Sequence, residues 1–97
     1  MPLLGSRRYE PNAGEALTAT GTAASSTTVL LVGELYVLAV SVDVWFRTDG
    51  TDAAVDTDGS YFLSKGATDV MGSGATISLI KHTGESDGSG SIGLGSL

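Results

Sequence analysis

The sequence predicts an all-β chain, a small β-sandwich or flattened barrel of about six strands preceded by an extended N-terminal arm. Three observations carry that expectation. Along residues 35–46 one set of alternate positions, Tyr36, Leu38, Val40, Val42, Val44 and Phe46, is wholly apolar, whereas the interleaved set, Leu35, Val37, Ala39, Ser41, Asp43 and Trp45, is mixed. A period of two with one apolar face marks a strand, and the valine content favours it over an equally apolar helix. Turn signals then divide the rest of the chain into short runs, "DGS", "SKG", "GSG" and "TGESDG", at the spacing expected of sandwiches and barrels. No segment needs a helix to place its apolar residues.

In chain order, residues 1–26 form the expected arm. The stretch "GSRRYEPNAGEALTATGTAASS" is rich in small and polar residues, and it has neither a helical nor an alternating apolar period. Such a segment cannot bury enough to fold alone. It is expected either as a disordered leader or as an arm that orders against a neighbouring subunit. Residues 27–97 form the expected domain.

The composition changes at Thr27. The run "TTVLLVGELYVLAVSVDVWF" is the densest apolar stretch of the chain, with Gly33 as the expected bend or bulge between two strands. An acidic loop follows, carrying Asp49, Asp52, Asp56 and Asp58. Three short strands come next, "SYFLSKG", "ATDVMG" and "TISLIKH", the last alternating at Ile77 and Leu79. The closing "SDGSGSIGLGSL" alternates small residues with Ile92, Leu94 and Leu97. It is expected as a last edge strand or as a flexible Gly/Ser-rich end.

Length and charge narrow the function classes. Ninety-seven residues allow one domain. With no cysteine, disulfides, thiolate zinc sites and thiol nucleophiles are all excluded. A formal charge of −6 with only five basic residues argues against a nucleic-acid partner, because neutralising phosphates needs clustered Lys and Arg. The first residues lack a signal-peptide core and no apolar run is long enough to span a bilayer, so no membrane partner is expected.

The acidic loop is the first candidate site, since clustered carboxylates bind calcium. Aligned on Gly59, an EF-hand loop would place Ala54 at its first position and Lys65 at its twelfth, where carboxylates are required. Asp49, Asp52, Asp56 and Asp58 are left as candidates for a looser metal site, set against a solvated turn. The "GSGSIG" of residues 88–93 matches a dinucleotide fingerprint literally, but it has no βαβ unit around it and the sequence given ends four residues later. His82 is the only histidine, and no nucleophile elbow accompanies it. Neither an enzyme nor a cofactor is expected.

Trp45 and Phe46 are adjacent on a strand and so point to opposite faces. Phe46 joins the apolar face, while Trp45 falls on the mixed face with Leu35 and Val37, which either a second sheet or another subunit would cover. The interface expected from the sequence comprises Arg7, Arg8, Tyr9 and Leu17 of the arm with Leu35, Val37 and Trp45 of that face.

Taken together, "LAVSVDVWFRTDGTDA", "GSYFLSKGA" and "GATISLIKHTGESDGSGSIGL" resemble the small all-β structural proteins on the virions of tailed bacteriophages. Trp45, Phe46 and Arg47 stand where such proteins end an apolar strand, and Phe62, Leu63 and Gly66 where they carry an "L-x-x-G" element. Ser64, Lys65 and Gly66 replace the proline-glycine pair frequent in that group. The resemblance covers roughly residues 27–94. It implies a capsid decoration (cement) protein, assembled in the host cytoplasm, whose partners are the major capsid protein and further copies of itself, usually as trimers. A neck, tail or fibre component is the nearest alternative, and a calcium- or carbohydrate-binding β module using the acidic loop and Trp45 is the alternative from another class.

Overall fold

In the computed structural model, which describes residues 8–9 and 14–96, the apolar face read from the sequence lines the space between two antiparallel sheets. The strands are β1 (Arg8–Tyr9), β2 (Glu15–Ala19), β3 (Ala24–Ser25), β4 (Leu35–Val40), β5 (Val44–Arg47), β6 (Tyr61–Leu63), β7 (Gly66–Met71), β8 (Ser78–Lys81) and β9 (Gly88–Ser96). The described residues contain no helix. The first sheet runs β9-β4-β7, with β1 and β2 following one another along the free side of β9; the second runs β3-β8-β5-β6. The all-β sandwich is the fold expected, with nine strands among the described residues in place of about six.

β4 and β5 show how one apolar period serves two sheets. Residues 35–46 read as one strand, but the chain leaves the first sheet after Val40 and joins the second at Val44. Residues of the same parity face the core on both sides of the crossing. Tyr36, Leu38, Val40 and Val44 are buried there, and Val42 and Phe46 pack against them. Ile77 and Leu79 of the expected alternation close the core from β8 and the loop before it, both with no exposed surface. Each such side chain contributes about 1.5–3 kcal/mol relative to leaving it in water.

The mixed face is therefore split, which corrects the expectation of a single surface. Leu35, Val37 and Ala39 lie on the outer side of the first sheet and Trp45 on the outer side of the second, because alternate residues of paired strands leave the core in opposite directions. The second sheet covers the apolar face instead.

The boundary expected at Thr27 does not divide the sandwich. β2 pairs with β9 from Glu15↔Ile92 to Ala19↔Gly88, and Leu17 and Ala19 are buried in the core. The chain then turns onto β8: Thr20 O accepts from Lys81 N at 3.0 Å, β3 pairs Ala24 with Leu79, and Ser26 N donates to Ile77 O at 2.8 Å. Residues 14–26 thus stitch the two sheets together along one side. The Glu15 carboxylate fastens the stitch by accepting from Thr27 N at 2.7 Å and Thr28 N at 2.9 Å. Burial alone would raise its pKa, but these hydrogen bonds outweigh that and hold it below the usual glutamate value.

The Gly/Ser-rich end is corrected more sharply. β9 is neither an edge nor a loose tail, since it pairs with β4 on one side and with β1 and β2 on the other. Its small residues allow that close approach: a Cβ on Gly88 would stand 2.6 Å from Ser41 Oγ and one on Gly90 3.1 Å from Ala39 O. Ile92 supplies its core contact.

The apolar run before Gly33 is a loop rather than the expected strand. Leu30 is buried as an anchor, Leu31 N donates to Tyr36 OH at 2.8 Å, and Glu34 N closes a turn onto Leu31 O at 3.1 Å with Gly33 at φ 85°. A glycine suits that left-handed position. The loop pairs with residues 72–75 through Gly72 N to Glu34 O, Gly74 N to Leu30 O and Leu30 N to Ala75 O.

Gly72 lies so close to this loop that a Cβ would sit 1.9 Å from Leu31 O. Gly72→Ala is expected to lower the unfolding free energy by about 2–3 kcal/mol in urea denaturation, because backbone must move to admit the methyl group. At Gly21 a Cβ would meet nothing within 4 Å, and Gly21→Ala should change stability by less than about 0.5 kcal/mol.

Candidate interaction surface

The connection between β5 and β6 carries the four aspartates, and it folds back over the outer face of the second sheet. Ala53 N donates to Ser78 Oγ at 2.9 Å, which buries both residues, and Ala54 N donates to Ser60 Oγ at 3.1 Å. Arg47 anchors the base: its Nε donates to Asp49 Oδ1 at 3.1 Å, its Nη2 pairs with Asp49 Oδ2, and its Nη1 reaches Asp58 O at 3.4 Å. Gly59, at φ 92°, lies under this guanidinium, where a Cβ would be 2.8 Å from Cζ.

The carboxylates are accordingly set apart. Asp49 is held by Arg47 and by Thr51 N, Asp56 occupies the left-handed region at φ 51°, and Asp52, Asp56 and Asp58 are exposed. Among the described residues no group of three or more His, Asp or Glu side chains is placed to hold a metal ion. As built, the loop is a turn that shields half of a sheet face.

Trp45 lies on the other half. Its Nε1 donates to His82 Nδ1 at 2.9 Å, and Phe62 packs edge-on to both rings at centroid distances of 5.4 Å from Trp45 and 5.3 Å from His82. The cross-strand pair Trp45↔Phe62 sets this cluster, and His82 follows β8 directly. Its position is further fixed by His82 N donating to Asp43 O at 2.8 Å. The bond from Trp45 defines Nδ1 as the acceptor, so the proton of the neutral imidazole resides on Nε2.

At this end of the sandwich three connections meet in a polar knot. Asp43 Oδ1 accepts from Lys65 N at 2.8 Å, Glu85 Oε1 accepts from Asp43 N at 3.0 Å, and Ser41 and Ser89 exchange two hydrogen bonds of 2.9 Å. Lys81 pairs with Asp87 at 2.8 Å.

The remaining residues named from the sequence disperse. Leu17 belongs to the core and Val37 is buried, so neither presents a surface, while Leu35 is half-buried opposite Met71. Arg8 and Tyr9 form β1 against Ser96 and Gly95, with their side chains outside the described residues, as is Arg7 altogether. Only Trp45 stands in a partly exposed cluster.

The sequence reading missed the exposed apolar residues. Tyr61 and Phe62 lie on β6 and Met71 on β7, the strands that leave the sandwich's second side unstitched. Val29, Leu31 and Val32 crown the loop that reads as a strand, and Gly33 followed by the Gly72 and Gly74 pair is the signal that could have marked it as a turn. Compared with known proteins, the chain matches no family model, no curated protein and no solved structure.

Two outcomes follow from this geometry. Asp49 is drawn down from the usual 3.8 to about 2, first by the Arg47 hydrogen bond and then by Thr51 N. A folded pKa below the unfolded one stabilises above the unfolded value and is lost as pH falls through the folded one. The Thr51 amide resonance should therefore titrate with a midpoint near pH 2 rather than 3.8, and Asp49→Asn should abolish that titration.

Trp45 is the only tryptophan, so its emission reports on the aromatic cluster alone. His82→Ala is expected to shift that emission and to cost about 1 kcal/mol in denaturant unfolding, the worth of one hydrogen bond.

Proposed function

We propose that this chain is a non-enzymatic structural component of a tailed-phage virion, acting as a capsid decoration protein that binds where major capsid subunits meet. The observation that supports this reading best is the unstitched side of the sandwich. Its two edge strands, β6 and β7, carry Tyr61, Phe62 and Met71 exposed by 64%, 48% and 59%. Apolar side chains beside unpaired strand edges are a liability for a domain that works alone and an asset for one held by neighbours. Aromatic residues and methionine are also the types enriched at protein interfaces.

The acidic loop fits the same role from another face. Its exposed carboxylates, within a net charge of −6, keep crowded copies soluble. The motifs of residues 27–94 that resemble virion proteins now lie on β4 to β9 and their connections.

The test is the copy number of the chain in purified virions of the phage that encodes it, measured by peptide mass spectrometry against the major capsid protein. A stoichiometry comparable to the capsid protein is expected. A few copies per particle would move the protein to the neck or tail, and its absence would overturn the virion reading.

A further inference from the structure

The sequence contains three steps at which an aspartate precedes a glycine, at residues 49–50, 58–59 and 87–88. Such a step is chemically labile, because glycine has no Cβ to hinder its amide or to restrict the main chain beside the preceding carboxyl. The glycine nitrogen attacks Cγ of the aspartate, the carboxyl hydroxyl leaves with the amide proton as water, and a succinimide ring closes. One water then reopens the ring. Cleavage at the original peptide carbonyl carbon leaves the chain running through Cγ as an isoaspartate, while cleavage at Cγ restores aspartate. One water is lost and one gained, so the reaction needs no oxidant, reductant or other co-reactant.

The fold treats the three steps differently. Asp49 Oδ1 accepts from Arg47 Nε and from Thr51 N, both at 3.1 Å, and Arg47 Nη2 holds the second oxygen. These contacts draw its pKa to about 2, which keeps scarce the acid form whose hydroxyl departs. Asp87 is paired with Lys81 Nζ at 2.8 Å. Gly88 after it is set in β9 opposite Ala19, where a Cβ would stand 2.6 Å from Ser41 Oγ. The main-chain rotation that attack requires would there disturb the pairing of β2 with β9.

The step at residues 58–59 is built the other way. It lies exposed in the loop over the second sheet, at the corner of a turn closed by Ser60 N donating to Thr57 O at 3.1 Å, with Gly59 at φ 92°. A turn closed by one such bond opens at little cost, which lets Asp58 rotate into position. The Asp58 carboxyl takes part in no hydrogen bond or ion pair among the described residues. Arg47 bears on the peptide itself. Its Nη1 donates to Asp58 O at 3.4 Å, and its guanidinium lies over Gly59, where a Cβ would be 2.8 Å from Cζ. Loss of the Gly59 amide proton places negative charge on that carbonyl oxygen, and a guanidinium facing it stabilises the charge. We propose that the peptide joining Asp58 to Gly59 is a modification site, where this chain forms isoaspartate in preference to its other two such steps, with Arg47 polarising the peptide. One arginine thus protects Asp49 and activates the Gly59 amide. The product adds a methylene to the main chain one residue before Ser60, whose Oγ accepts from Ala54 N at 3.1 Å, and so loosens the turn over the sheet face. The proposal is independent of the virion reading.

The test ages the full chain at physiological temperature and neutral pH in heavy-oxygen water. Each ring opening places one heavy oxygen at the step that reacted, and fragment mass spectra of the digested protein locate it. The label at Asp58 is expected to exceed that at Asp49 or at Asp87 at least about fivefold, because each rival must first break a stabilising hydrogen bond. In Arg47→Gln the label at Asp58 should fall about two- to fivefold, the worth of an exposed charged contact, while that at Asp49 rises. Mere loosening of the loop would raise both, so an Asp58 rate that rises or stays unchanged in this variant would overturn the part given to Arg47. In denaturant the three steps should differ by less than about twofold, since little structure is left to separate them. A preference for Asp58 that survives unfolding would overturn the structural assignment, as would equal labelling of the three steps in the folded chain.

Discussion

The structure depends on one constraint: the alternate residues from Tyr36 to Phe46 must face a single core although the chain changes sheet among them. The crossing takes residues 41–43 out of the regular strands, and their polar backbone groups need other partners. Ser41 and Asp43 stand in the otherwise apolar run for that reason. Ser41 exchanges hydrogen bonds with Ser89, while Asp43 engages Lys65, His82 and Glu85 through three different atoms. Each of these hydrogen bonds contributes about 0.5–1.5 kcal/mol. The same knot joins the ends of three connections, so it fixes how β6, β7, β8 and β9 enter their sheets.

This constraint explains which parts of the fold were legible in the sequence. β4, β5, β7 and β8 have a side-chain pattern that the core alone enforces, and they occur where the alternation and the turn residues place them. β2 and β9 have no such pattern. "EALTA" and "GSGSIGLGS" are strands because each pairs with a neighbour at short range, and their small side chains, which read as disorder, are what permits the approach. Strand propensity describes the fit of a side chain to its surroundings, so it fails where the fit consists of leaving room.

The surfaces were less legible for a related reason. Trp45 could be placed on an outer face from its parity, but its partners, Phe62 of β6 and His82 just after β8, depend on register. The run "VLLV" of residues 29–32 looks like the interior of a strand, yet one leucine of it is buried and its neighbours are not. Leu30 and Leu31 are chemically identical. What separates them is the turn closed by Gly33 and the contact of Leu31 O with Gly72, a tertiary fact with no local signature.

The two long sides of the sandwich differ in a way that bears on association. On one side residues 14–26 pair along β9 and β8, so that β2 and β3 are the outer strands there. On the other, β6 and β7 keep outward edges, which are blunted by different means: β6 is three residues long, and β7 carries Asp69 among small residues. Short and charged edges discourage indiscriminate strand pairing. Exposed apolar side chains stand beside such edges and on the loop of residues 29–32, where burial by a partner would remove them from water.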